Sequence, residues 1–168
     1  GRAYEVRARK IVDATYMRVS VPSVRGPQYG IASGVRCVAL NELPRCERPA
    51  GGYTIVGAGK TGMDACLWLL GNGVEPDEIT WIMPRDSWIL DRARIQPGEF
   101  FGRSLLSAAM QMEAIAGATS VDDLFARVNA SGVLLRLDER VRPTMYRCAT
   151  VTEAELALDA QGKMLGFR

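Results

Sequence analysis

The spacing of apolar residues changes twice between residues 53 and 83, and it predicts a strand, a helix and a second strand. The run Tyr53–Val56 (YTIV) is short and rich in β-branched residues, as a buried parallel strand should be. Apolar residues then recur at helical spacing, at Met63, Cys66, Leu67 and Leu70. Gly71 and Gly73 end this predicted helix, and residues 78–83 (EITWIM) predict the second strand.

The N-terminal part of the chain predicts short strands separated by loops. Residues 4–8 (YEVRA) alternate as an exposed strand does, residues 10–15 (KIVDAT) indicate a more buried strand, and residues 34–40 (GVRCVAL) could form another. Residues 41–52 indicate a polar linker, and residues 84–100 indicate a loop after the second strand.

Three further helices are predicted towards the C-terminus. In residues 102–116 the apolar side of the helix would carry Leu105, Leu106, Met110 and Ile115. Residues 120–132 predict a helix capped by Ser120, with Asp123 three residues on, and Thr152 with Glu155 forms a further capping box. We expect these helices to pack on the sheet or on a partner that this chain lacks.

The turn GAGKTG (residues 57–62) suggests two phosphate-binding motifs that imply different reactions. A P-loop would need a glycine five positions before Gly59, where Thr54 lies inside the predicted strand. The dinucleotide pattern G-x-G-x-x-G fits without strain: Gly57 makes the turn, the second glycine admits the pyrophosphate, and Gly62 lets helix and strand pack closely. The alternative is a glycine-rich turn kept only for packing.

The composition of the chain argues against several classes of partner, catalytic site and metal site. A chain of 168 residues favours one domain, and a net charge of +2 gives no reason to expect a nucleic-acid or membrane partner. Without a signal-peptide pattern we expect a cytoplasmic protein. The sequence has no histidine, which removes Ser-His and Cys-His catalysis and most transition-metal sites. No C-x-x-C pair is formed by Cys37, Cys46, Cys66 and Cys148.

Two segments, in their order along the chain, resemble the middle of flavoprotein oxidoreductases that bind two dinucleotides, FAD and NAD(P)H. Flavin-containing monooxygenases are the nearest relatives in this resemblance. Ala14 and Thr15 match a turn at the end of the FAD domain's strand pair, although Tyr16 stands where glycine is usual. Residues 21–23 (VPS) resemble the crossover that follows, and residues 57–62 match the glycine motif that opens the NAD(P)H domain. The resemblance covers roughly residues 5–95.

The resemblance implies an α/β fold: a Rossmann-like parallel sheet with flanking helices, plus strands of an incomplete FAD-binding domain. Residues 1–50 would supply the partial FAD-domain strands and crossover linker, and residues 51–168 a partial NAD(P)-binding domain with a helical extension. The family's first glycine motif is missing here, as is the histidine of the monooxygenase signature, and the chain starts at Gly1 rather than Met. We therefore interpret it as a fragment, inactive alone, of a parent that transfers hydride from NADPH to FAD.

The predicted cofactor-binding residues surround the diphosphate. They are Gly57, Ala58, Gly59, Lys60, Thr61 and Gly62. Free N–H groups and the positive end of the helix dipole would attract the anion. Lys60 would add a cation or else be solvated, and Thr61 would donate its hydroxyl to phosphate or bond its own backbone. Asp64 is better interpreted as a favourable charge in the first helical turn.

The end of the second strand decides between the two pyridine nucleotides. Arg85 comes first there and favours NADP, because a guanidinium matches the 2′-phosphate, although NAD is possible. The alternative is a surface ion pair of Arg85 with Asp86 or another acid. Arg92 and Arg94 could assist or face solvent, and a tryptophan such as Trp88 could cover the adenine but is more often packed. No catalytic residue or metal ligand is predicted.

Three functions remain open at this point. The first is the NADP-binding part of a flavoprotein oxidoreductase, active only with an FAD-binding segment or another subunit. The second is a non-catalytic nucleotide-binding or docking module, and the third is a flavin-free Rossmann dehydrogenase. The KIVDAT and VPS segments disfavour the third, because such a dehydrogenase normally begins near its glycine motif.

Overall fold

The protein is an α/β chain with one small parallel sheet, one small mixed sheet and packed helices. The computed structural model describes residues 3–13, 20–21, 23–159 and 163–166. It divides into two compact units, Gly1–Pro44 and Arg45–Arg168.

The described residues of the first unit contain no strand, so the predicted strands at 4–8 and 34–40 are wrong. Of the strand predicted at 10–15, the described part, residues 10–13, is not a strand either, and no strand expected of an incomplete FAD domain is found among these residues. Val6, Ile11 and Val12 are more than four-fifths exposed, so no packing supports an extended pair. A strand needs a neighbouring strand to hydrogen-bond its backbone N–H and carbonyl groups, and an alternating sequence does not guarantee that such a neighbour exists. Residues 14 and 15, and the turn assigned to them, lie outside the described residues, as do Tyr16 and Pro22.

The elements of the chain are these. The strands are β1 Tyr53–Val56, β2 Ile79–Met83, β3 Trp88–Asp91, β4 Leu134–Leu135, β5 Tyr146–Val151 and β6 Lys163–Gly166. The helices are α1 Lys60–Gly71, α2 Phe101–Gly117, α3 Val121–Ala130 and α4 Glu153–Asp159. Short 3₁₀ helices occupy Leu40–Arg45, Pro76–Glu78, Arg92–Arg94 and Gly98–Phe100.

The parallel sheet has the order β1-β2-β6, which confirms the predicted strand, helix and strand around α1. Tyr53 lies opposite Ile79, and the two strands run in register to Val56 and Ile82. The expectation that β1 is buried on both faces is wrong, because Thr54 and Val56 are exposed. Among the described residues nothing pairs with the outer edge of β1.

The mixed sheet has the order β4-β3-β5, with β4 antiparallel and β5 parallel to β3. Its central strand β3 lies inside residues 84–100, which were predicted to be a loop. That prediction missed a short apolar run, Trp88 to Leu90, which is stabilised by pairing with residues far away in sequence. The predicted linker similarly contains most of a 3₁₀ helix, Leu40–Arg45.

The predicted helices are found, but α2 buries a different face from the one expected. Ser107 and Ala114 are buried, with Met110 packed against the core cluster, whereas Leu105, Leu106 and Ile115 are more than half exposed. Small side chains let two helices approach closely, so close packing overrides the most apolar stripe. The core cluster is formed by Trp88, Ala114, Val128, Val133 and Leu134.

Both predicted helix caps are confirmed. The Ser120 hydroxyl accepts from the Asp123 N–H at 3.1 Å at the start of α3. At α4 the cap is reciprocal: the Glu155 N–H donates to the Thr152 hydroxyl at 3.1 Å, and the Thr152 N–H donates to the Glu155 carboxylate at 2.8 Å.

Helix α1 and strand β1 meet at a very close approach. A Cβ added to Gly62 would lie 2.6 Å from the Gly57 carbonyl oxygen and 3.3 Å from Trp81 Nε1. Gly57 itself has φ +120°, a backbone conformation that disfavours any other residue. The backbone of the protein itself therefore accounts for glycine at two of the three motif positions, 57 and 62.

We predict that Gly62→Ala destabilises the protein by about 1–3 kcal/mol, because the methyl group must displace backbone rather than a flexible side chain. Urea denaturation measures the loss. The matched control is Gly71→Ala at the other end of α1, where an added Cβ meets nothing within 4 Å and the free energy of unfolding should not fall. Equal stability of the two variants would contradict the close approach.

Candidate functional site

The turn from β1 into α1 is held against strand β2 by both backbone polar groups of Gly57. The Gly57 N–H donates to the Ile82 carbonyl at 3.0 Å. The Gly57 carbonyl accepts from the indole N–H of Trp81 at 2.8 Å, and Trp81 is fully buried. The start of α1 is thus fixed at the carboxyl end of the parallel sheet, where open α/β sheets bind ligands.

Gly59 differs from the other two glycines, because neither its backbone conformation nor its described neighbours require a glycine. It is the N-cap of α1 with φ −92° and ψ 171°, which any residue can adopt. An added Cβ would meet only the Arg147 guanidinium, at an ordinary 3.8 Å. A side chain at this position would, however, stand beside the helix N-terminus and obstruct an anion there.

Among the residues that the structure describes, no side chain caps the N-terminus of α1, whose N-cap is Gly59. The N–H groups of Lys60 and Thr61 belong to the first turn, which has no partner within a helix. Ala58 is buried, while Thr61 is exposed at the mouth of the turn. Such an end can bind an anion through its N–H groups and its dipole.

The Lys60 ammonium is already paired. It donates to the Asp64 carboxylate one turn further along α1 and lies 3.7 Å from the Glu155 carboxylate at the start of α4. Asp64 is therefore not the first-turn acid that was expected, since the first turn of α1 contains no acidic residue. Its charge is directed to Lys60 rather than to the helix N-terminus.

Glu155 connects this helix start to the mixed sheet. Its carboxylate pairs with Arg92 at 3.0 Å as well as with Lys60. Burial raises the pKa of Glu155, but hydrogen bonds from Thr152 and Arg92 outweigh it and hold the pKa below its usual value. The carboxylate therefore stays ionised at neutral pH, and it would compete with a bound phosphate for the Lys60 ammonium.

Arg85 lies exposed in the turn after β2, as the sequence placed it. Within the part of the chain that the structure describes, its guanidinium has no hydrogen bond or ion pair. The alternative pairing with Asp86 is not formed, and that carboxylate instead accepts hydrogen bonds from the N–H groups of Ser87 at 2.6 Å and Asp138 at 3.2 Å. Burial raises the pKa of Asp86.

The other residues considered near the second strand are engaged in packing or in pairing. Arg92 donates to the Thr150 carbonyl at 3.0 Å and Arg94 lies 3.7 Å from the Asp91 carboxylate. Trp88 is buried and stacks on Phe125 with ring centroids 5.9 Å apart. It belongs to the core cluster.

Sequence analysis missed Arg147, which lies on β5. Its Nε donates to the buried Ser87 hydroxyl at 3.1 Å, and its guanidinium reaches the side of Gly59. Parallel pairing of β5 with β3, in which Arg147 lies opposite Ile89, brings it there. No local motif marks such a residue, because its position depends on pairing between strands distant in sequence.

Two open clefts lie away from this turn. One of about 490 Å³ is bordered by Asp91, Arg94, Arg103 and Glu153, and the other, of about 410 Å³, by Trp88, Asp122 and Arg142. Neither is lined by residues 57–62.

The described residues contain no group of three or more acidic or cysteine side chains that could hold a metal ion. None of the helices in the described ranges is long and apolar enough to cross a bilayer.

Comparison with known proteins gives relatives without a stated function. No family model matches the chain, and no solved structure matches it. Uncharacterized proteins of Mycobacterium bovis and of two Mycobacterium tuberculosis strains are each 59% identical to it over 149 residues. The match covers 88% of this chain but 28% of each relative, so the chain spans less than a third of these longer proteins.

Proposed function

We propose that residues 45–168 bind the diphosphate of NADPH at the N-terminus of α1, as the pyridine-nucleotide part of a flavin-dependent oxidoreductase. The observation that carries this proposal is Gly59. It stands beside a helix N-terminus without a capping side chain, and neither its backbone conformation nor the packing of the described residues requires a glycine. Access for a phosphate to the backbone explains it.

The parallel sheet supports a Rossmann-like interpretation. Strands β1, β2 and β6 are adjacent and parallel, as are the strands in one mononucleotide-binding half of a doubly wound sheet. In a complete doubly wound fold, the first strand lies in the middle of the sheet, and the ligand-binding crevice opens beside it. The outer edge of β1 has no partner among the described residues, so a second half could pair there.

NADP is the proposed cofactor because of Arg85, with NAD as the alternative. Arg85 follows β2, where the adenosine ribose lies in this architecture, and its exposed guanidinium is unengaged within the described chain. A planar guanidinium can bind a 2′-phosphate through paired donors.

FAD would come from outside this chain, from a further segment of a longer protein or from another subunit. When bound, the flavin would accept hydride from the nicotinamide, and the residues of this chain would bind and orient the nucleotide. We assign no general acid or base to them. The resemblance to flavin-containing monooxygenases and the greater length of the mycobacterial relatives support such an arrangement. A cytoplasmic location and the lack of a nucleic-acid partner belong to the same proposal.

A non-catalytic nucleotide-binding or docking module is the second candidate. It is favoured by the first unit, whose described residues have no strand that could contribute to an FAD domain.

We predict that the folded protein binds NADPH more tightly than NADH in isothermal titration calorimetry. Loss of a charge-assisted contact at the 2′-phosphate should make Arg85→Ala bind NADPH about 10–100-fold more weakly, while NADH binding hardly changes. Arg142→Ala, another exposed arginine, is the control and should keep the wild-type ratio.

Two results would count against the proposal. The absence of heat with either nucleotide would remove the nucleotide site altogether. An unchanged NADPH-to-NADH ratio in Arg85→Ala would remove only Arg85 from it.

A further inference from the structure

We propose that Arg147, rather than Lys60, supplies the side-chain cation that binds the nucleotide diphosphate. This inference rests on the proposed function, and it concerns the part of the cofactor that NADH and NADPH share. It assigns a binding role to a residue on β5, far from the glycine motif in the sequence.

Lys60 is a poor candidate because two carboxylates already neutralise it. Asp64 accepts a hydrogen bond from it on the same helix, and Glu155 approaches it from α4. The side chain of Lys60 is 25% exposed, so these ion pairs are not fully screened by solvent. Releasing Lys60 to a phosphate would leave both acids beside the bound anion, which they repel.

Arg147 has the opposite environment. Its Nε is held by the hydroxyl of Ser87, a neutral group that is 2% exposed, and this bond fixes the direction of the guanidinium. Within the described ranges no carboxylate lies within 4 Å of it, and its two terminal amino groups have no hydrogen-bond partner. They are therefore available as paired donors to a phosphate.

The position of the guanidinium makes an anion favourable there. One terminal nitrogen, Nη1, lies 3.8 Å from the point where a Gly59 Cβ would stand, beside the N-terminus of α1. A cation beside the positive end of a helix dipole is unfavourable when no anion lies near. A phosphate between Arg147 and the first N–H groups of α1 would interact favourably with both, and the missing side chain at Gly59 leaves room for it.

The two arginines would then have separable roles. Arg147 would bind the diphosphate of either nucleotide, and Arg85 would bind only the 2′-phosphate of NADPH. Removing Arg147 should lower the affinities for NADPH and NADH by the same factor and leave the ratio of the two affinities unchanged.

Calorimetric titration of Arg147→Gln with NADPH and NADH tests this. We expect both affinities to fall roughly 10–100-fold, which is the range for loss of a charge-assisted phosphate contact. The double variant Lys60→Gln/Asp64→Asn, which removes one positive and one negative charge together, should change either affinity less than about 3-fold. Adenosine 2′-monophosphate, which lacks the diphosphate, should bind Arg147→Gln as it binds the wild type.

The outcomes distinguish this inference from the proposed function. If the wild type binds neither nucleotide, both fail. If the wild type binds and Lys60→Gln/Asp64→Asn loses affinity while Arg147→Gln does not, the nucleotide site stands and the inference about Arg147 is overturned.

A measurement on the wild-type protein covers the case in which Arg147→Gln does not fold. The Arg147 Nε–H resonance, assigned with the help of Arg147→Lys, should shift when NADH is added. An unmoved resonance at saturating NADH would overturn the assignment.

Discussion

The contact between Gly62 and the Gly57 carbonyl determines the geometry on which the candidate site depends. Only a hydrogen atom at position 62 fits against that oxygen, which also accepts the indole N–H of Trp81. The contact holds the start of α1 at the carboxyl end of β1 and leaves the first N–H groups of the helix without partners in the helix. The rest of the site is built around this exposed positive end.

The charges around this helix end are arranged asymmetrically. Lys60, Asp64 and Glu155 form a network that also reaches Arg92, so its charges largely cancel. Arg147 stands beside the helix end with only the Ser87 hydroxyl as the partner of its side chain among the described residues. An anion would therefore be favoured on the Arg147 side, where Gly59 leaves the backbone accessible.

The sequence predicted those features that depend on neighbours along the chain. The strand, turn, helix and strand from Tyr53 to Met83 and the caps at Ser120 and Thr152 all follow from local spacing. Features that depend on distant pairing were missed or wrong. The pairing of β3 with β5 stabilises β3 and sets the position of Arg147. The predicted N-terminal strands have no neighbouring strand among the described residues, although alternating apolar and polar residues form a strand only when one is present. The roles of the turn residues and of Arg85 in binding a nucleotide remain predictions.

The most direct test of the central claim is to observe the backbone amides of residues 58–61 by ¹⁵N-edited NMR during titration of the wild-type protein with NADPH. A diphosphate bound at the start of α1 would shift these amide resonances most, with smaller changes at the far end of the same helix around Gly71. If NADPH binds while these amides do not move, or if the largest shifts lie in the cleft around Arg94 and Arg103, the nucleotide binds elsewhere and the account is contradicted.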